Sequence, residues 1–211
     1  MKHFFYRAKF LIVIYSLVAM LLSLGSMAYV KHLSDYKAFE QLSSDYVAGS
    51  ITCANEESDY RNALLQAAGK YSESFLLAVD FTGVRAFAVY YTDVSCFPLK
   101  LTEGRLFDRG DFQEGKNAAI VNLSTRKSCV EKDGSVWWDY GGTLFEVIGV
   151  YKDSDSFGGR TPDCYLNLTA QALDSSIFQS FIFDAGKDTV NDFEAIKQEI
   201  SGWSDEWYID G

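Results

Sequence analysis

Histidine is nearly absent from this 211-residue chain: only His3 and His32 occur, and both flank an apolar run near the N-terminus. The rest of the sequence therefore cannot assemble a Ser-His-Asp or Cys-His nucleophilic device. Metal-ligand spacing is also missing, since the four cysteines, Cys53, Cys96, Cys129 and Cys164, form no Cys-x-x-Cys pair, which argues against a zinc site. Only two prolines occur, and 16% of residues are aromatic, a composition that suits a packed core rather than a disordered stalk. Basic residues are scarce as well. Beyond residue 30 there are 16 Lys and Arg against all 29 Asp and Glu, a formal charge of −13. Nucleic-acid binding rests on neutralising phosphates with Lys and Arg, so nucleic acid is excluded as a partner. The acidic surface otherwise reads as a solvated face that keeps the domain soluble.

What is present begins with residues 10–30, which carry no charge and are dense in Leu, Ile and Val. Crossing a hydrocarbon core of roughly 30 Å takes about 20 helical residues, so this segment is expected to be a transmembrane helix. Lys2, Arg7 and Lys9 precede it, which keeps residues 1–9 cytoplasmic and sends the remainder to the extracytoplasmic side of the cell membrane, single-pass. A cleaved signal peptide is the competing reading, with Ser26 and Ala28 before Tyr29 as small residues at a cleavage site. The run is longer than the usual apolar region of about 7–15 residues, which favours the anchor. All four cysteines then lie where disulfides persist, and four cysteines allow three pairings that sequence does not distinguish. Pairing Cys129 with Cys164 and Cys53 with Cys96 would keep each bridge within one of the lobes described next.

Residues 31–45 are polar with scattered apolar positions and read as a stalk. The pattern then changes to an α+β domain over residues 46–211. Residues 46–53 read as a strand and 56–71 as a helix, with Tyr60, Ala63, Leu64, Ala67 and Ala68 at helical spacing and Glu56, Glu57 and Asp59 at its start. Strands are expected over 74–81 and 85–92, joined by a turn at residues 82–84, with Phe87, Val89 and Tyr91 alternating in the second. A similar set returns late in the chain: a strand over 177–184, a helix over 190–200 and a strand over 206–209. Residues 46–96 and 173–211 thus form a split βαβ-type lobe that brackets an inserted, mostly β lobe over 97–172, rich in glycine and turns.

Within the insertion, Pro98-Leu-Lys-Leu-Thr-Glu-Gly104-Arg105-Leu-Phe107-Asp108-Arg-Gly110-Asp111 is followed by Asn117-Ala-Ala-Ile-Val-Asn. Then come Tyr140-Gly-Gly-Thr-Leu-Phe-Glu-Val147-Ile148-Gly149-Val150-Tyr and Cys164-Tyr-Leu-Asn-Leu. This order resembles the MacB-type periplasmic core domain of MacB/FtsX-like ABC transporter permeases, with its Gly-Arg-x-Phe…Asp segment and its Val-Ile-Gly-Val strand. The resemblance covers nearly the whole chain. It implies an anchored extracytoplasmic domain without a chemical active site or cofactor, which relays conformational change or contacts substrates and partners. A multi-span permease subunit and a cytoplasmic ABC ATPase would be its companions. Permeases of this kind carry further transmembrane helices, normally three, after the core domain, and no second apolar span occurs here. Physically the same residues read as structural: Gly104 and Gly110 permit turns, Arg105 has Asp108 and Asp111 as pairing choices, and Gly149 marks a bulge or a close backbone approach.

Other motifs carry less. Gly110 to Asn117 approaches a phosphate-binding loop, but Asn117 stands where a hydroxyl is needed, and Asp111 and Glu114 would repel phosphate, so it reads as a polar turn. Asp153 and Asp155 in a glycine-rich loop could serve a carboxylate hydrolase or a calcium ion, although the calcium-loop spacing is missing. The same loop carries Phe157, a candidate partner contact. Trp137 and Trp138 are adjacent, so on a strand one should be exposed, and Trp137 is the second candidate contact. The sequons at Asn122 and Asn167 read as chance matches. The preferred reading is a non-enzymatic component of an ABC-type export or mechanotransmission assembly, whose lobes move against each other or dock a partner. The alternative is a stand-alone anchored binding module that meets an envelope protein.

Overall fold

The computed structural model describes residues 15–27, 29, 42–53, 60–81, 85–155, 157, 160–173, 178–201 and 204–210. Helix α1 covers residues 15–27, and its side chains are exposed. Among the described residues no helix is long and apolar enough to cross a membrane. The span expected over residues 10–30 lies partly outside them.

The remaining elements follow as β1 (Val47–Cys53), α2 (Tyr60–Tyr71), β2 (Leu76–Phe81), β3 (Ala86–Tyr91), β4 (Leu101–Gly104), α3 (Arg109–Gln113) and β5 (Ala118–Asn122). They continue with α4 (Leu123–Arg126), β6 (Val130–Lys132), β7 (Ser135–Tyr140), β8 (Thr143–Tyr151), β9 (Cys164–Asn167), β10 (Phe178–Asp184), α5 (Thr189–Glu199) and β11 (Ser204–Asp210). The α+β class expected from the sequence is what the chain adopts. Glu56, Glu57 and Asp59, placed at a helix start, and the turn at 82–84 lie outside the described residues.

The eleven strands among the described residues belong to one mixed sheet of order β11-β1-β10-β2-β3-β9-β5-β8-β7-β6, with β4 added on β8. Strands from residues 47–91 and 178–210 fill one half, and strands from residues 101–167 fill the other. The halves meet where β3 and β9 run parallel, from Ala86 opposite Cys164 to Val89 opposite Asn167. The central strands are buried on both faces, so they read as apolar runs rather than as alternation. The period of two still sorts their side chains. Leu77, Val79, Ala86, Ala88, Ala119, Val121, Cys164 and Leu166 face one core, closed by Leu64, Ala67 and Ala68 of α2 and by Phe193 and Ile196 of α5. Leu76, Ala78, Phe87, Val89, Ala118, Ile120 and Tyr165 face the other, closed by Phe97, Leu99, Phe107, Phe112 and Phe157.

Two sequence expectations change here. Leu42, in the expected stalk, is buried in the second core, and the backbone N–H of Ser43 donates to the Asp184 carboxylate at 2.7 Å. The ordered domain thus begins earlier than residue 46, because one apolar side chain in a polar segment finds a core to enter. Among the described residues the expected disulfides are not formed: Cys96, Cys129 and Cys164 are free thiols. Cys164 points into the first core from β9, whereas the Cys129 thiol bonds the Thr125 carbonyl of its own turn at 3.4 Å. Cys96 is likewise a free thiol, 3.2 Å from the Ser74 hydroxyl, and the side chain of Cys53, its expected partner, lies outside the described residues.

Candidate functional site

The family-like residues, about 50 positions apart in sequence at their extremes, converge on one place. Strand β4 ends at Gly104, which lies opposite Gly149 of β8. Gly104 has a φ of 78°, and a β-carbon there would sit 2.1 Å from the Ile148 carbonyl oxygen, so only glycine fits. Arg105 N–H donates to that same carbonyl at 2.9 Å. From the other side, a β-carbon on Gly149 would meet the Arg105 carbonyl at 2.6 Å. The β5–β8 register also shifts here, with Ile120 opposite Gly149 and Ala119 opposite Val147, so Gly149 lies at a bulge and a close approach together.

Beyond Arg105 the chain turns into α3 through a capping box. Asp108 accepts from Asp111 N–H, and the Asp111 carboxylate accepts from Asp108 N–H. Of the two pairing choices for Arg105, Asp111 is the fully buried one, and the guanidinium grips both of its oxygens, Nη2 lying 2.9 Å from Oδ1. Asp108 remains a looser neighbour at 3.3 Å. Burial alone would push the Asp111 carboxyl up. The hydrogen bonds from Arg105 and Asp108, with the charges of Arg105 and Lys116, outweigh it and hold the group below the ordinary carboxylate range. Phe107 is fully buried, Val150 nearly so, and Val147 and Ile148 pack against opposite cores; Pro98 is exposed between buried Phe97 and Leu99 and takes no part in the contact. The arrangement is a clasp fastening the β4–α3 turn onto β8.

Two residues that sequence reasoning passed over complete it. The Asn167 amide, dismissed as part of a sequon, is fully buried and donates at 2.8 Å to both the Asp111 and Lys116 carbonyls. Its signal was a lone amide inside an apolar strand. The Tyr91 hydroxyl donates at 2.8 Å to the Phe107 carbonyl, and burial, with the Asp111 charge, raises its pKa and keeps it protonated.

Beside the clasp a half-open cavity of about 530 Å³ lies between Tyr90–Val94, Phe107–Arg109 and Phe112–Gln113. Its floor is aromatic: Tyr90 and Tyr91 approach Phe112 at 4.8 and 5.1 Å between ring centres. Its rim is exposed and charged, with Asp93, Asp108 and Arg109.

The remaining candidates resolve as structural. Lys116 of the phosphate-loop look-alike lies 3.3 Å from Glu114 and 3.7 Å from Asp111, and its neighbour Gly115 is pressed against the Thr169 carbonyl. Asp153 accepts at 2.8 Å from both the N–H and the hydroxyl of Ser124, which keep its carboxyl below the usual range and make it a cap for α4 rather than a general acid. Among the described residues no group of three His, Cys, Asp or Glu is placed to hold a metal ion. Phe157 is not an exposed contact residue. It is fully buried, edge-on to Phe87, Phe97 and Tyr165, because a large ring in a polar loop is driven into the open second core. Trp137 and Trp138 are both half-buried. Trp138 packs beside Tyr140 against the first core, while Trp137 lies on the opposite face of β7 and its indole donates to the Lys132 carbonyl at 3.4 Å.

No family model and no curated protein matches the chain. Among solved structures it is similar to the periplasmic region of MacB from Actinobacillus actinomycetemcomitans, at 17% identity and a TM-score of 0.49, covering 84% of this chain and 93% of that one. It is also similar to the extracellular domain of the noncanonic ABC-type transporter YknZ from Gram-positive bacteria, at 14% identity and a TM-score of 0.48, covering 79% of this chain and 100% of that one.

Proposed function

We propose that this chain is a non-enzymatic, membrane-anchored extracytoplasmic component of a MacB/FtsX-like ABC transporter or mechanotransmission assembly. Residues 10–30 serve as the single anchor, and a multi-span permease with a cytoplasmic ATPase completes the machine. The observation that carries this reading is the clasp. The residues that gave the sequence its family likeness, Gly104, Arg105, Phe107, Asp111 and Gly149, meet in one structural device in which the charged groups are consumed by each other. Such a device would stiffen a part that transmits force. A second reading, an anchored binding module acting alone, is favoured by the aromatic-floored cavity beside the clasp.

Gentle solubilisation of native membranes, capture through an N-terminal tag and mass spectrometry separate the two. An ABC ATPase recovered with a multi-span permease supports the assembly reading. Recovery of the protein alone, or with envelope proteins only, retires it in favour of the binding module.

A further inference from the structure

We infer that the extracytoplasmic domain is one mechanical body that relays displacement by moving whole, and that its two halves do not hinge on each other. The inference deepens the relay reading above and rests on it only for the use made of the rigidity.

A hinge or shear between halves needs an interface with two alternative packings. Among the described strands the two halves pair only through the parallel pair β3–β9, and both faces of this seam lie inside continuous cores. On one face Leu77 and Phe181 from the first half share a cluster with Val121, Phe145 and Leu166 from the second. On the other face Leu76 and Val89 share a cluster with Ile120, Tyr151 and Tyr165. Opening the seam in either sense exposes side chains that are now fully buried, Ala88, Tyr165 and Leu166 among them.

The seam is also bolted beyond its ladder. Asp163 N–H donates to Arg85 O at 2.6 Å and Leu168 N–H to Val89 O at 3.0 Å, extending the pairing at both ends. On the α2 side, the Arg61 guanidinium reaches across to the Ala170 and Leu173 carbonyls at 3.0 and 3.1 Å. On the other side, Tyr91 holds Phe107 O and Arg160 pairs with Asp80. Apart from the Arg61–Leu173 contact, each tie joins residues of the first half to the inserted half, and the clasp at Gly104–Asp111 fixes the β4–α3 turn of that half to β8. The start of β1 and the end of β11 pair beside one edge of the sheet, with Ala48 opposite Asp210, so in a rigid domain a push on the chain leading into β1 would turn the whole sheet, β6 at the far edge included.

The test uses the full chain in detergent micelles. Spin labels on genetically encoded ketone residues at Gln66 in α2 and Lys132 in β6, both exposed, leave the cysteines intact. Double electron–electron resonance should give a single narrow distance distribution, and a bimodal or broad one overturns the inference. A second measurement uses the four native tryptophans, two late in the chain and two in β7. Trp137→Phe, Trp138→Phe and Trp203→Phe together leave Trp207 in β11 as the reporter of the first half, and Trp203→Phe with Trp207→Phe leaves Trp137 and Trp138 in β7 as reporters of the second. Their urea transitions should coincide at one midpoint. Two separated midpoints overturn the inference. Neither readout involves a partner, so either can fail while the transporter reading stands, and co-purification can fail while the domain remains one body.

Discussion

Replacing Arg105 by Met is the sharpest probe of the clasp, because it leaves the fully buried Asp111 carboxylate without its bidentate partner. Stripping the partner from a buried ion costs about 3–5 kcal/mol. Arg105 is itself 47% exposed, so water screens part of the pair. Asp108 N–H and Lys116 also remain close to Asp111. A loss of about 2 kcal/mol is therefore the reasoned value. With a urea slope of about 2 kcal/mol/M, the midpoint of the fluorescence transition should fall by about 1 M at pH 7. The pH dependence follows from the sign of the shift. A depressed carboxyl stabilises the fold above its unfolded value of about 3.9, and that contribution disappears as pH falls through the lower folded value. In Arg105→Met the unpaired carboxyl is easier to protonate, so the difference between variant and parent should shrink as pH is lowered toward 4. Arg105→Met with Asp111→Asn should recover much of the loss, since no buried charge then remains. A midpoint change below about 0.2 M at pH 7, or a difference independent of pH, would refute the claim that the buried carboxylate depends on Arg105.

Three further outcomes are expected. Gly104→Ala forces a β-carbon to within 2.1 Å of a backbone oxygen at positive φ, so a stability loss above about 2 kcal/mol, or no soluble folded protein, should appear in thermal melts. Phe157→Ala empties the centre of an aromatic cluster and should cost about 3–5 kcal/mol in the same urea assay, whereas an exposed contact residue would leave stability unchanged. Under native conditions maleimide should modify Cys96 well before Cys164, whose thiol is buried and whose pKa burial pushes up; a Cys129–Cys164 bridge found by non-reducing peptide mapping would contradict the free thiols.

The strands and helices were largely legible because their signals are local. The alternation of Phe87, Val89 and Tyr91 places them together in one core, and the spacing of Leu64, Ala67 and Ala68 places them on one face of α2. Gly104 and Gly149 were legible for the same reason, since turns and bulges punish a β-carbon wherever they occur. By itself, then, the sequence determined the α+β class, the extent of the apolar N-terminal run, the near-absence of histidine and the two glycines of the clasp. Partner choices were not legible, because they depend on distances set by the whole sheet. Arg105 had two acids within reach in sequence, and only the contact of α3 with Asn167 of β9 went with a buried Asp111 and an Asp108 left at the surface. Phe157 read as exposed because its loop is polar, and only the opening beside Phe87, Phe97 and Tyr165 drew it inside. The tertiary structure likewise decided that two runs of strands, separable along the chain, share both cores across the β3–β9 seam, for burial belongs to the assembled sheet and to no single segment.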